Sequence, residues 1–336
     1  GTKNVLIGDE AGTGVTTGDQ NTFVGYAAGD VTTTSSNNTG IGNNALGGNI
    51  LGSDSVAIGK DALESQNPAG TSIVSMNNVA VGNSAGQAVT SGRFNTLVGS
   101  LTADRMTTGA SNTFVGFGVA GDAVVTGSNN TAMGNSALVA LIGGANNTCI
   151  GVEAGASITS AANVVIVGYN SDLAAVDTAQ VIVLGSGVTS QAANNFTFGF
   201  GSTVSNIAFG ATSISAPSDE RYKEDIADST AGLSFIKDLR PVTFKWKKEK
   251  DVPSDHKAYV ADSNDRVMQS QGETNHGFIA QEVKAVIDAH SEIKDGFGMW
   301  AADPIDGRQR LGAGELIPIL VKAIQELEAR IAVLEG

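Results

Sequence analysis

A glycine returns every seventeen residues through more than half of this chain. Segments of the form Asn-x-x-apolar-Gly run from Asn4 to Gly8, Asn21 to Gly25, Asn38 to Gly42, Asn78 to Gly82, Asn95 to Gly99, Asn112 to Gly116, Asn130 to Gly134 and Asn147 to Gly151. With Gly59, Gly168 and Gly185 completing the series, eight of the ten steps are 17 residues, one is 18 and one is 23. So regular a period means stacked copies of one structural unit. The long step, from Gly59 to Gly82, predicts an insertion loop near Glu64 to Ser75.

Each unit reads as a short strand, as in Thr22-Phe23-Val24 or Thr113-Phe114-Val115, then the glycine, then often a small-residue stretch such as Tyr26-Ala27-Ala28-Gly29. β-Branched and aromatic residues suit the strand, and glycine permits the turn that a Cβ resists. One or two large apolar side chains per coil bury too little for a coil to stand alone, so neighbouring coils, and neighbouring chains, are expected to complete the core. The recurring asparagines are expected to form an internal ladder that satisfies backbone groups rather than a sugar-binding array. After Gly185 the spacing shortens, to Asn195-Phe196-Thr197-Phe198-Gly199 and Asn206-Ile207-Ala208-Phe209-Gly210, so the solenoid tapers or changes shape there. Phe196, Phe198, Phe200 and Phe209 are expected to pack on a shared axis. Over roughly residues 4 to 210 the repeat resembles the β-roll of trimeric adhesin head domains.

Residue types exclude two other repeats. Calcium-binding rolls need tandem Gly-Gly-x-Gly-x-Asp, which is absent, and collagen needs glycine at every third place with abundant proline, whereas the chain has six prolines. The net charge of −14 and the scattered basic residues argue against nucleic acid and anionic membrane as partners. A single cysteine, Cys149, cannot make an intrachain disulfide or a Cys/His metal cluster and is read as a small buried residue. No apolar run is long enough to span a bilayer, and the Gly1-Thr2 start reads as a fragment of something longer.

The character of the chain changes near residue 217. Residues 1 to 216 hold four basic and twelve acidic residues and 34 of the 43 glycines; both tryptophans and all three histidines lie beyond. At the junction stands Ser218-Asp219-Glu220-Arg221-Tyr222-Lys223-Glu224-Asp225-Ile226. A serine and a lysine close together suffice for peptide-bond cleavage, because a neutral amine accepts the hydroxyl proton as the oxygen attacks. Lysine at its ordinary pKa of about 10.4 is protonated at neutral pH, so apolar enclosure must lower it. Five residues apart, the two side chains do not share a face of a helix or strand, and a turn or another subunit must bring them together.

Further along come Gly232-Leu233, Leu239-Arg240-Pro241-Val242-Thr243-Phe244 and His276-Gly277-Phe278-Ile279-Ala280-Gln281-Glu282-Val283. Phe278 to Ile287 reads as an amphipathic helix with Ile279, Val283, Val286 and Ile287 on one side. His276 reads as a structural residue, and the charged stretch Lys245 to Asp251 as solvated hairpin ends. Finally, Ile317, Ile324 and Ile331 stand seven apart, interleaved with Leu320, Leu327 and Leu334, a three-heptad coiled-coil seam. Pro318 fits the first turn of that helix.

In this order the motifs resemble the C-terminal intramolecular chaperone domain of phage tail spikes and fibres, the S74 peptidase family. The resemblance implies a mainly β protein: a trimeric β-solenoid or β-roll stalk over residues 1–216, then an α+β chaperone domain over 217–336 that ends in a coiled-coil helix at about 315–335. It implies that the domain drives homotrimerisation and folding of the stalk, then releases itself by cutting Pro217–Ser218, with Ser218 as nucleophile and Lys223 as base. Proline on the acyl side crowds that carbonyl and slows attack. The implied enzyme is a self-cleaving serine peptidase acting once, within a chain or within the trimer, without cofactor or metal. The seam for three chains is Ile317, Leu320, Ile324, Leu327, Ile331 and Leu334. Implied partners are further copies of the chain and a host-surface glycan or protein receptor; the implied location is the virion, after synthesis in the host cytoplasm. The alternative is a structural trimeric fibre or adhesin whose C-terminal domain never cuts. An enzyme acting on glycan lacks the clustered acidic pair glycosidases use.

Overall fold

The computed structural model describes all residues except 212, 215–217, 269–272, 294–296 and 304–306. The chain divides into two compact units, Gly1–Asp219 and Glu220–Gly336.

The first unit is a β-solenoid in which each coil contributes one short strand to a 13-stranded sheet. From Val5–Ile7 to Asn195–Phe200 every strand runs parallel to the next. The register repeats without slip: Thr96 faces Thr113 and Thr113 faces Thr131, one coil to the next. In the three-residue strands from Thr22–Val24 to Thr148–Ile150 the middle residue points inward and the two flanking residues outward, as the period of two requires. Inside, size is traded between neighbouring coils. Phe23 is fully buried over Gly40, where a Cβ would come within 3.0 Å of the Phe23 ring. Beyond Gly185 the repeat does change shape. Asn195–Phe200 folds back on Thr203–Ala208 as an antiparallel hairpin, with Asn195 and Thr197 buried and Phe200 and Phe209 exposed.

The asparagines are interior ladder residues. Asn112 shows the pattern: its Oδ1 accepts from the Asn130 backbone N–H at 2.9 Å, and its Nδ2 donates to the Gly127 carbonyl at 3.0 Å. Asn21, Asn38, Asn78, Asn95, Asn130 and Asn147 are likewise fully buried and joined to the next coil. Each buried amide fills its own donors and acceptors while capping the adjacent coil, beside an apolar core that includes Phe23, Leu97, Phe114 and Leu141. Between Asn4 and Asn147 the ladder is interrupted once, at Ser55. There Gln66 substitutes: its Oε1 accepts from Ser55 Oγ at 3.2 Å and from Asn78 Nδ2 at 2.9 Å. Gln66 lies in the 23-residue coil, which adds an exposed stretch around Gly70 and the strand Val74–Ser75, paired in parallel with Gly52–Ser53 of the coil before it.

The periodic glycines have a second reason besides the turn. At Gly116 φ is +142°, and an added Cβ would lie 2.6 Å from the carbonyl oxygen of Gly134 in the next coil. Glycine stacks on glycine along the whole unit, so the coils approach more closely there than any side chain allows.

The second unit is built around three helices. Helix α1 is Leu233–Asp238, α2 is Ala280–Ala289 and α3 is Leu316–Glu335. Phe235 and Leu239, Val283 and Ile287, Met299, and Leu316 and Ile319 form one apolar core. Helix α2 starts one residue after Ile279, which is exposed, while Val283 and Ile287 are buried as the amphipathic pattern predicts. Val242–Phe244 pairs with Asn275–Gly277, and Trp300–Ala302 with Gln309–Leu311, both antiparallel.

Candidate functional site

Ser218 and Asp219 end the first unit, and the second begins with the single 3-10 turn Glu220–Tyr222. Lys223 follows that turn, its N–H donating to the Glu220 carbonyl at 3.0 Å. Ser218 and Lys223 are both exposed. Among the described residues no apolar enclosure of the kind a lysine base requires covers Lys223. Pro217, on the acyl side of the expected scissile bond, lies outside the described residues.

Downstream, the motifs singled out in the sequence are tied to one another by charge. Arg240 grips Glu282 with both arms of its guanidinium: Nε donates to Oε2 at 2.9 Å and Nη2 to Oε1. The hydrogen bond to Arg240 holds the Glu282 carboxyl below its ordinary range. This pair joins the Leu-Arg-Pro segment to the Gly-Phe-Ile-Ala-Gln-Glu segment. Gly232 allows a second link. It precedes α1, and a Cβ there would meet the Glu326 carboxylate at 2.6 Å; without one, Glu326 Oε2 accepts from the Leu233 N–H at 2.9 Å. A carboxylate from α3 thus caps the positive end of α1.

His276 sits exposed on the strand Asn275–Gly277, opposite Thr243. The histidine with a built environment is His290, immediately after α2. Its Nδ1 is 2.9 Å from Glu292 and its Nε2 2.9 Å from Asp238 at the end of α1, with the Phe235 ring edge-on at 5.4 Å between centroids. Two carboxylates facing both ring nitrogens call for the doubly protonated imidazolium. The Glu292 and Asp238 hydrogen bonds accordingly raise the His290 pKa. With both nitrogens engaged, the ring is a clamp between α1 and α2 and has no nitrogen left to act as a base. Sequence reading passed over it; a histidine right after an amphipathic helix, with a glutamate two residues on, was the available signal.

Helix α3 presents two faces. Leu316, Ile319 and Ala323 are buried in the core, whereas Ile317, Leu320, Ile324, Leu327, Ile331 and Leu334 are all exposed. The heptad residues are thus a continuous apolar row that the single chain leaves uncovered. Cys149 lies inside the solenoid, where burial pushes its thiol up to about 12, so it is no nucleophile at neutral pH. Among the described residues no group of three or more His, Cys, Asp or Glu side chains converges on a point that could hold a metal ion, and no helix is long and apolar enough to cross a membrane.

Residues 218–292 match the family model described as peptidase S74, chaperone of endosialidase. The match opens at Ser218, takes in the Arg240–Glu282 pair and His290, and ends before α3. Searches of curated proteins and of solved structures return no match. A β-solenoid followed by this domain fits a tail fibre, and the chain carries at residues 218–292 a C-terminal chaperone domain of the S74 peptidase family.

Proposed function

We propose that the chain is a segment of a homotrimeric phage tail fibre or spike, whose C-terminal domain aligns three copies, assists folding of the solenoid and then cuts itself free at Pro217–Ser218. The observation that carries this is the family match opening on Ser218, directly behind a solenoid of short strands. Physical need supports it. Coils that repeat every 17 residues permit neighbouring chains to align one coil out of step with nearly the same contacts, so a non-repeating element must fix the register. The exposed heptad row of α3 is suited to that task.

In the cleavage step, Ser218 Oγ attacks the Pro217 carbonyl carbon while Lys223 Nζ takes the hydroxyl proton. The C–N bond breaks as Lys223 returns that proton to the Ser218 nitrogen, which leaves as an amine, and water hydrolyses the resulting ester to a Pro217 carboxylate and a free Ser218 hydroxyl. A neighbouring subunit, rather than the chain itself, supplies the enclosure Lys223 needs, which makes cutting wait for assembly. No cofactor takes part. Virion location, synthesis in the host cytoplasm and a host glycan or protein receptor belong to this reading. The exposure of Lys223 favours a second one, in which the domain trimerises and never cuts.

Denaturing electrophoresis of the purified protein separates the two. Cleavage gives fragments of about 217 and about 119 residues from the 336-residue chain, and Ser218→Ala or Lys223→Ala gives the full-length band alone. Fragments that persist in both variants would remove the dyad.

A further inference from the structure

The solenoid departs from its own pattern twice at one corner, on consecutive coils. Five residues before each periodic glycine the backbone is left-handed, with φ between +51° and +62° from Lys3 to Gln180. The side chain there is polar in every coil but one; Asn77, Ser111, Asn129 and Asn146 are typical, and all four are exposed. The exception is Phe94, which is 54% exposed and is the one aromatic among the described non-glycine residues with positive φ. A bulky ring on that backbone is strained, and strain that buries so little of the ring marks a task other than stacking. Arg93 lies against it, with its guanidinium carbon 5.7 Å from the ring centroid. The second departure, the inserted stretch of the coil before, borders this pair. Its two ends are tied to the Phe94 coil: the Asn67 N–H donates to the Thr90 carbonyl at 3.1 Å, and the Phe94 N–H to the Met76 carbonyl at 2.8 Å. Between those ties residues 69–73 are exposed.

Arg93 is also a charge the stalk leaves unspent. Lys60 pairs with Asp61 at 3.1 Å, and Arg105 donates to the Asp122 carbonyl at 2.7 Å. Among the described residues no carboxylate or carbonyl takes up the Arg93 guanidinium, and along the chain no acidic residue stands between Glu64 and Asp104.

We propose that Arg93, Phe94 and the inserted stretch form a binding site for an anionic sugar polymer, one whose units carry carboxylate or phosphate. The proposal rests on the tail-fibre reading above and adds to it where on the stalk a host-surface receptor binds and by what chemistry. A guanidinium grips either anion with two parallel N–H donors, and an aromatic ring covers the apolar face of a sugar. Along the same corner Asn77, Ser111 and Asn129 flank Phe94, with one position about every 4.8 Å. Amides and hydroxyls at that spacing suit a hydroxyl-rich chain lying along the stalk. An acidic peptide brings apolar side chains to a row that, Phe94 apart, is polar.

Affinity electrophoresis of the full chain tests this. The gels hold alginate, a uronate polymer, or a glycerol-phosphate teichoic acid; dextran is the neutral polymer and polyglutamate the acidic peptide. A protein of net charge −14 is not drawn to a polyanion by its overall charge, so retardation reports a local site. The expected result is retardation by alginate or teichoic acid, whichever carries the fitting anion, and none by dextran or polyglutamate. Arg93→Gln should weaken the apparent affinity about tenfold. Phe94→Asn, which restores the usual residue of that corner and relieves its backbone, should weaken it about fivefold, and Arg105→Gln should leave it unchanged. Retardation by neither anionic polymer, equal retardation by polyglutamate, or retardation that Arg93→Gln leaves intact overturns the proposal. Native mass of the same preparation reads the trimer separately: three chains without retardation removes the site and leaves the fibre reading standing, whereas a mass of one chain overturns the trimeric fibre and the receptor role that rests on it.

Discussion

The two units spend their polar groups in opposite ways. In the solenoid, amides go inside and bond to the next coil, so that most of its interactions join residues about 17 apart. In the C-terminal unit the polar clasps lie outside the apolar core and join distant segments: Glu326 to Leu233 across 93 residues, His290 to Asp238 across 52. The difference teaches why they occur together. A ladder stabilises each coil on its neighbour but carries little information about which coil is which, whereas long-range clasps specify one arrangement. The solenoid has local marks of its own, notably Phe23 over Gly40 and Gln66 at the ladder's gap, but they are few.

Substitutions that strike the stacking should break the first unit and spare the second. The largest effect is expected at Gly116→Ala, where the new Cβ meets backbone that cannot move without separating two coils and φ is unfavourable as well. A loss of roughly 4 kcal/mol or more is expected, read as loss of the stalk's unfolding transition by calorimetry while that of the C-terminal unit remains. A smaller effect is expected at Asn112→Ala, which leaves the Asn130 N–H and the Gly127 carbonyl buried without partners. Its cost is about 2–4 kcal/mol, visible in the denaturant midpoint. A stalk that tolerates this change at no cost would mean that the ladder follows the fold instead of supporting it.

The C-terminal unit should respond to pH through His290. In the unfolded chain His290 titrates near 6.5, and in the folded unit its pKa is raised by Glu292 first and Asp238 second. The clamp's contribution is therefore full below 6.5 and lost as pH rises through the higher folded value. Glu292, whose pKa His290 lowers, sets the acid limit: its share is present above its ordinary 4.5 and lost as pH falls through the lower folded value. Melting of the second unit should drop by roughly 2–5 °C as pH rises past the His290 value, and His290→Gln should flatten that slope. An unchanged slope in the variant would assign the pH response to other groups.

The solenoid was legible because its signal is redundant: eleven glycines in step, each before a turn, state the fold many times over. The insertion between Gly59 and Gly82 and the helix from Leu316 were legible for the same reason, a broken period and a sustained one. The direction of each strand face was not. At Asn195–Phe200 alternation separates two faces, and pattern alone does not say that Asn195 and Thr197 turn inward while Phe196 and Phe198 turn out; the register on the buried Val181 and Val183 decides it. The candidate pair Ser218 and Lys223 rests on resemblance rather than geometry, since nothing in a five-residue spacing brings two side chains together.

By itself the sequence determined the repeat, its length, the place where it ends and the heptads of the last helix, because each depends on neighbours close along the chain. Tertiary structure alone decided that Arg240 meets Glu282, that Glu326 caps α1 and that His290 stands between two carboxylates. Those contacts join residues 42, 93 and 52 apart. No period relates such positions, and only the burial of a shared apolar core brings them within hydrogen-bonding distance.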